Sequence, residues 1–481
     1  MVWLVGGCSL VADFGDECTT SGDCAGELVC TSKLCVQAGA GGDAGSTVDG
    51  GGPSGPLQLT AECDLLRGAT LEELRRDDVI VLGMLMPESG ALAEVGPPIE
   101  DAAFLAQDEI NQSGGLLGRR FVLAVCDTGT DAAQATRAAK WLVEQARVPA
   151  IIGPAASSAT LQVANTVTVP GGVVIVSPSS TSPALTDLRD QDLVWRTAPS
   201  DAIQGAAIAA HLLAGGYGKV AVVNRDDTYG NGLRDAIQRT LCAADRCGEG
   251  DYYTRSYAED SVEDQSRILF ELQTFEPDVV VLIAFVTDGI RFLSLAGAAG
   301  LDRFILTDGT KDALLLDEVE HEGLLRSLIG TAPASPSGEL YEQFALGYRN
   351  KWRRDPGVFN AQAYDAMYLL AYAAAGVPEG QPLTGEAMAH GLRRLSAGEA
   401  IAAGAGRWNR GVAVLRGDAA ATIDFDGASG PLDFGREGEA TGDIEGWRFD
   451  VDAGRVRTLG VLYTADRVYT APPTPETEGK R

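Results

Sequence analysis

Two short runs of hydroxyl-bearing residues carry the clearest chemistry in this 481-residue chain. One, GPAASSAT from Gly153 to Thr160, follows the apolar run Ala150–Ile152 and presents Ser157 and Ser158. The other, SPSSTS from Ser177 to Ser182, follows Val173–Val176 and presents Ser179 and Thr181. An amphipathic helical pattern lies between them. Two parallel strands joined by a helix place both loops at one edge of a sheet, the edge at which open α/β sheets bind ligands. Hydroxyls there donate hydrogen bonds, and free N–H groups at the start of a following helix favour anions such as a carboxylate. The pair reads as a clamp for the anionic end of a small molecule. The plainer role of the same residues is helix capping, for which Ser and Thr are favoured, and the two roles are compatible.

Little else in the chain is arranged for chemistry. It contains no G-x-S-x-G elbow, no G-x-x-x-x-G-K-[ST] loop and no H-E-x-x-H helix. The three histidines, His211, His321 and His390, stand apart from any pattern of cysteines or carboxylates. Asp127 with Asp131, and Asp424 with Asp426, mimic paired-acid or Ca2+ spacing, but among 67 acidic residues such pairs are expected in surface turns. The chain therefore reads as a binder and not an enzyme, with no catalytic residue, metal ligand or cofactor.

A formal net charge of −29 and a pI near 4.4 set the chain against nucleic acid phosphates and anionic lipid headgroups. No apolar run approaches the roughly 18 residues that a membrane span needs. Nine cysteines indicate an oxidising compartment. Setting Cys8 aside leaves eight. Cys242 and Cys247 are close enough to bridge a local loop, which pairs Cys63 with Cys126 by elimination. Cys18, Cys24, Cys30 and Cys35 lack the C-x-x-C spacing of a metal site and read as a small disulfide-rich module over residues 9–37. MVWLVGGC, residues 1–8, resembles the end of a bacterial lipoprotein signal, with Cys8 as the lipid attachment site. The missing basic region and longer apolar core place the true start upstream. Ser9 after that cysteine favours the outer membrane over the inner. Residues 38–57, rich in Gly with Asp, Ser and Pro, read as a flexible tether reaching roughly 25 Å. Residues 472–481 read as a disordered tail.

From Asp78 onward, apolar runs alternate with helical patterns. Strands are expected at Val79–Met86, Phe121–Val125, Ala150–Ile152, Val173–Val176, Lys219–Val223, Tyr252–Tyr257, Val279–Ile283 and Phe304–Thr307. Between Thr130 and Arg147, the residues Ala135, Ala139, Leu142, Val143 and Ala146 form one helical face. Alternating βα units mean parallel sheets covered by helices, and there are too many for one small sheet. The expectation is an α/β fold of two doubly wound lobes, with a mostly helical stretch from Leu340 to Leu395 and short strands after Ala420.

The order of several segments resembles the periplasmic leucine/isoleucine/valine-binding protein family, the type I solute-binding proteins of ABC transporters. They run from GMLMPESGALAEVGPPIEDAAFLAQDEINQSGGLLGRRFVLAVCDTGTDAAQA (Gly83–Ala135) through IIGPAASSAT, SPSSTSPALT, WRTAPSDAIQG and DTYGNGL to FDGASGPLDFGREGEATGD (Phe425–Asp443). The resemblance implies two lobes joined by three crossovers that close on a ligand: lobe one at about 79–198 and 334–420, lobe two at about 199–333 and 421–471. It implies that Ser157 and Thr181 contact a ligand carboxylate, that Ser179 offers a carbonyl to its ammonium, that Phe285 packs on the ligand and that Asp308 pairs with the ammonium. A charge-assisted bond of that kind is strong in a water-poor cleft. Tyr229 and Glu88 are further candidates to line it. Val95 stands where the family has a covering tyrosine. The family's local disulfide from Cys126 would end at Ala156, which cannot form it, so Cys63 is the substitute.

The implied function is an extracytoplasmic lipoprotein, periplasmic or at the cell surface, that captures an amino acid or a similar carboxylate-bearing solute. Its expected partners are that ligand and an ABC transporter permease or a membrane receptor, with the membrane reached only through a lipid anchor, no nucleic acid, and a monomeric state. A ligand sensor, or a surface lipoprotein with a degenerate cleft, are the alternatives.

Overall fold

The computed structural model describes the backbone of residues 28–31 and 34–37, and residues 57–334 and 337–472 in full. The chain divides into two compact units, Met1–Pro56 and Leu57–Arg481. In the first, strands β1 (Leu28–Thr31) and β2 (Leu34–Gln37) pair antiparallel with Cys30 opposite Cys35. Cys8, Cys18, Cys24, the tether up to Pro56 and residues 473–481 lie outside the described residues.

The second unit holds the expected lobes. In the first lobe, β3 (Leu65–Arg67), β4 (Val79–Met86), β5 (Arg120–Asp127), β6 (Ala150–Ile152), β7 (Val174–Ser177) and β8 (Val194–Arg196) form one sheet in the order β3-β5-β4-β6-β7-β8. All pairs are parallel except β3 with β5. Strands covered on both faces by helices read as continuous apolar runs, and every residue of β4, β6 and β7 is buried. Helices α1 (Gly96–Gln112), α2 (Ala132–Lys140) and α3 (Ser157–Val163) make the crossovers. The expected 130–147 helix is α2 continued by a π-helical stretch, Trp141–Ala146, and ended by Arg147 in the left-handed region at φ 57°. Cys63 is bridged to Cys126, which pins the segment before β3 to the end of β5.

The second lobe repeats the plan. Helix α4 (Asp201–Gly215) enters it, followed by β9 (Val220–Arg225), α5 (Thr228–Ala243), β10 (Tyr252–Tyr257), α6 (Val262–Phe275), β11 (Val279–Ile283), α7 (Val286–Ala298), β12 (Phe304–Leu306), the short helices α8 (Leu314–Glu318) and α9 (Glu322–Ser327), and β13 (Ile329–Pro333). Cys242 and Cys247 are bridged at the end of α5. The chain then returns to the first lobe through α10 (Glu339–Trp352), α11 (Asn360–Gly376), α12 (Gly385–Leu392), β14 (Glu399–Ala402), α13 (Ala405–Gly417), β15 (Ile423–Gly427) and β16 (Gly430–Pro431). Strands β17 (Ile444–Asp450) and β18 (Arg455–Tyr463) complete the second sheet, in the order β10-β9-β11-β12-β13-β17-β18.

One expected boundary moves. Residues 421–440 do not belong with lobe two: β15 pairs parallel with β14, and Ile423, Phe425, Leu432 and Ala440 are buried in the same core as α1 and α11. The last crossover falls just before β17, because the β15 face is apolar where it meets α11. Asp424 and Asp426 lie in β15 and not in a turn. Asp127 holds its loop together by accepting from the backbone N–H groups of Glu88, Ser89 and Gly129, and Asp131 caps α2. Among the described residues no group of His, Cys, Asp and Glu is placed to hold a metal ion, and no helix is long and apolar enough to cross a membrane.

Candidate functional site

The carboxyl ends of both sheets face each other across a cavity of about 550 Å³, counting its opening. The first lobe contributes the turn after β4 (Pro87, Leu92), the start of α1 (Val95, Ile99), and both hydroxyl loops (Ala155, Ala156, Ser157, Ser179). It also contributes Val358 and Phe359, which precede α11. The second lobe contributes Tyr229 from the first turn of α5, Phe285 and Val286 where β11 passes into α7, and Asp308, Gly309, Lys311 and Asp312 after β12. Two glycines allow this approach. A Cβ on Gly230 would stand 2.1 Å from the carbonyl oxygen of Arg225, so only glycine lets α5 start tightly enough on β9 to aim Tyr229 inward. A Cβ on Gly309 would stand 2.5 Å from the carbonyl oxygen of Ala284. A mostly apolar wall with a few convergent polar groups is the usual form of a small-molecule site.

The polar groups are held in place from behind. Phe285 stacks on Tyr229 with ring centroids 5.4 Å apart and planes at 14°. The Arg225 guanidinium lies 3.7 Å from the Phe285 ring centre, a cation–π contact. Arg225 is itself fixed by Asp288 at 2.9 Å, by Asp227 and by Glu259 at 3.2 Å. Tyr229 donates its hydroxyl hydrogen to Asp308 Oδ1 at 2.9 Å, and Gln204 Nε2 donates to the same oxygen at 2.8 Å. Burial pushes the Asp308 carboxyl up, and these two donors oppose that shift. Burial also pushes the Tyr229 hydroxyl well up, with the Asp308 charge adding to it, so Tyr229 stays a neutral donor. On the opposite wall Ser157 Oγ accepts from the Ser182 N–H at 3.3 Å, and Ser179 Oγ donates to the Ala155 carbonyl at 3.1 Å. The first turn of α3 has no side-chain cap. One wall thus offers hydroxyls and helix-start N–H groups, and the other the Asp308 carboxyl group, with Lys311 and Asp312 beside it.

A family model described as periplasmic binding protein matches residues 79–441, three-quarters of the chain. The chain belongs to the periplasmic binding protein family. A Leu/Ile/Val-binding protein, BraC3 of Rhizobium johnstonii, is 35% identical over 165 residues, which cover 34% of this chain and 44% of that protein. The chain thus matches less than half the length of that relative. A leucine-, isoleucine-, valine-, threonine- and alanine-binding protein of Pseudomonas aeruginosa is 26% identical over 321 residues, 66% of this chain and 82% of that one. Among solved structures, the leucine-binding protein LivK of Thermotoga maritima superposes with a TM-score of 0.66 at 22% identity, covering 80% of this chain and 98% of that one. LivJ of Streptococcus pneumoniae, in complex with isoleucine, gives 0.65 at 22% identity, covering 80% and 99%. At these identities the structural likeness shows the two-lobed type I fold.

In this periplasmic binding protein the cavity gathers Ser157, Ser179, Tyr229, Phe285 and Asp308, but not three other expected residues. Thr181 is 1% exposed and turns away, donating its hydroxyl hydrogen to Asp201 Oδ2 at 2.8 Å. Ser158 is not part of the lining, and neither is Glu88, which is exposed beyond Pro87. Several hydroxyls of the two loops instead sew them together: Ser177 and Ser180 donate to the Pro154 carbonyl, and Ser180 also bonds Thr160. Sequence reasoning missed the apolar wall of Leu92, Ile99, Val286, Val358 and Phe359, and the buried pair Asp201 and Gln204 behind Asp308. Phe359 has a left-handed backbone, φ 65°, at the start of α11 with no glycine to announce it. Asp201, two residues beyond Pro199, was legible only as a helix-start residue.

Proposed function

We propose that this chain is an extracytoplasmic solute-binding protein that captures an amino acid with an apolar side chain and hands it to an ABC transporter. The observation that carries the reading is Asp308: a carboxyl group, 4% exposed and held by Tyr229 and Gln204, in a mostly apolar cavity opposite the Ser157 and Ser179 wall. A zwitterion fits that division, with its carboxylate on the first lobe, its ammonium on Asp308 and its side chain against Leu92, Val95, Ile99 and Phe359. The binding described in the names of the Rhizobium and Pseudomonas relatives supports an amino acid ligand. A Ser157 contact to the carboxylate, Phe285 packing and Tyr229 support of Asp308 are parts of the same proposal. Thr181 acts through Asp201 and not by touching the ligand.

The chain acts as a monomer tethered by lipid on Cys8, with residues 9–37 as a small module and 38–57 as a spacer. The Gly-Gly-Cys run and the exported-type cysteines support this anchor, and an acyl-modified Cys8 peptide in mass spectra of the native protein is its test. The binding proposal is tested by thermal unfolding against a panel of amino acids, their amides and short carboxylic acids. A ligand at one hundred times its Kd adds about 2.7 kcal/mol to stability. A panel that leaves the unfolding temperature unchanged would overturn the proposal.

A further inference from the structure

Behind the cavity wall two buried carboxyl groups are linked through Gln204, which stands one turn after Asp201 on α4 and donates to Asp308 Oδ1. Asp201, the first residue of α4, is 0% exposed, and Asp308 is 4% exposed. They are unequally served. Asp308 Oδ1 accepts from Tyr229 and Gln204, whereas Asp201 accepts a side-chain bond only at Oδ2, from the Thr181 hydroxyl. Asp201 Oδ1 and Gln204 Oε1, both buried acceptors on one turn of α4, have no partner. The cations nearby are committed to other acids. Arg196 on β8 is bound to Glu439, and Lys311 after β12 to Glu445. Asp227, at the cap of α5, is bound to Arg225, and Tyr229 is neutral.

Two ionised carboxylates buried together, with the nearby Arg196 and Lys311 already bound to other acids, are strongly disfavoured, so such a pair keeps one proton between them. Asp201 is the group that holds it, having fewer donors. A proton on Oδ1 also turns one of the two orphan acceptors into a donor. Burial and the neighbouring Asp308 charge both push the Asp201 carboxyl well above the usual carboxylate range, against the Thr181 bond and the Arg196 charge.

We propose that capture of an amine-bearing ligand in this cleft expels a proton from the Asp201–Asp308 pair, so that retention of the ligand depends on pH. The inference rests on the reading of the cleft as an amino acid site. An ammonium group against Asp308 supplies the missing positive charge and removes the repulsion that kept the second carboxyl neutral. The Asp201 O–H bond breaks, its electron pair stays on the carboxylate, and the proton goes to solvent; nothing is oxidised or reduced. Affinity then rises with pH wherever the empty pair holds the proton and the filled pair does not.

The test is isothermal titration of the full chain with the tightest-binding of the twenty common amino acids, in phosphate and in Tris, from pH 5 to pH 8. The expected result is a buffer-dependent heat equivalent to about one proton released, with affinity climbing up to about tenfold per pH unit. Asp201→Asn, which is permanently neutral, should release no proton and bind without this pH dependence. Should that variant fail to fold, Thr181→Val removes the donor to Asp201 and should move the pH dependence to higher pH. A heat independent of buffer together with a flat Kd across the range overturns the proposal. Release that persists in Asp201→Asn, or a pH dependence unmoved by Thr181→Val, does the same. Binding of the corresponding carboxylic acid without its amine should release no proton, and release there also overturns it. If no amino acid binds at any pH, the amino acid reading itself fails, an outcome distinct from binding without proton release.

Discussion

Asp308→Asn separates an ammonium anchor from a structural acid. The substitution keeps the shape of the side chain and an oxygen that accepts from Tyr229 and Gln204, bonds of 2.9 and 2.8 Å in the wild type. It removes the charge and turns the other oxygen, an acceptor, into an NH2 donor. Hydrogen bonds to charged groups contribute about 1.5–3 kcal/mol, and the Asp308 site, 4% exposed, lies at the upper end because little water competes there. The expected loss is therefore about 2–3 kcal/mol, or roughly 30- to 150-fold in Kd. The assay is isothermal titration of wild type and variant with the same amino acid and with the carboxylic acid that lacks its amine. The amine-bearing ligand should weaken by that factor, and the deaminated acid should bind both proteins equally. An amino acid affinity changed by less than about threefold, or an equal loss for both ligands, refutes the assignment, since threefold is only about 0.65 kcal/mol.

Three further outcomes follow from the packing. Glu100 is 5% exposed and burial pushes its carboxyl up to about 9, with Glu88, Asp101 and Asp127 adding to the effect. A carboxyl raised on folding favours the folded state at low pH and loses that contribution as pH climbs towards 9, so Glu100→Gln should be more stable than wild type by about 3 kcal/mol at pH 7, with the gap closing below pH 5 in urea unfolding. Opening the Cys63–Cys126 bridge, which spans 63 residues, by Cys63→Ser with Cys126→Ser should cost about 4 kcal/mol, against about 2 for the Cys242–Cys247 bridge, which spans 5. Equal losses in denaturant midpoint would contradict the loop-length argument. Phe359→Ala, at a wall residue 7% exposed, should cost about 3–5 kcal/mol and shift ligand preference towards larger side chains, and an unchanged rank order in the thermal panel would remove Phe359 from the pocket.

The sheets were legible because parallel strands buried on both faces are unbroken apolar runs: Val79–Met86, Ala150–Ile152 and Val279–Ile283 have the same ends in sequence pattern and structure. Strand β3 was not, because three half-exposed edge residues carry no pattern. The 421–440 segment was placed in the wrong lobe because short strands between glycine turns do not say which sheet they join; the apolar face of Phe425 against α11 decides that. At the site, Asp308 was singled out only by the family resemblance, whereas the hydroxyl loops were readable from strand ends. The direction of Thr181 was not, because it is set by Asp201, which arrives from a helix of the other lobe. The apolar wall was invisible for the same reason: Ile99, Val286 and Phe359 come from three separated helix starts.

The central claim is that the cleft grips a zwitterion, carboxylate on one lobe and ammonium on the other. A crystal structure of the chain saturated with its tightest amino acid tests it most directly. The expected complex has the ligand carboxylate on the Ser157 and Ser179 wall, the ammonium on Asp308 and the side chain against Val95, Ile99 and Phe359. A ligand bound in the opposite orientation, or outside this cavity, would contradict the account.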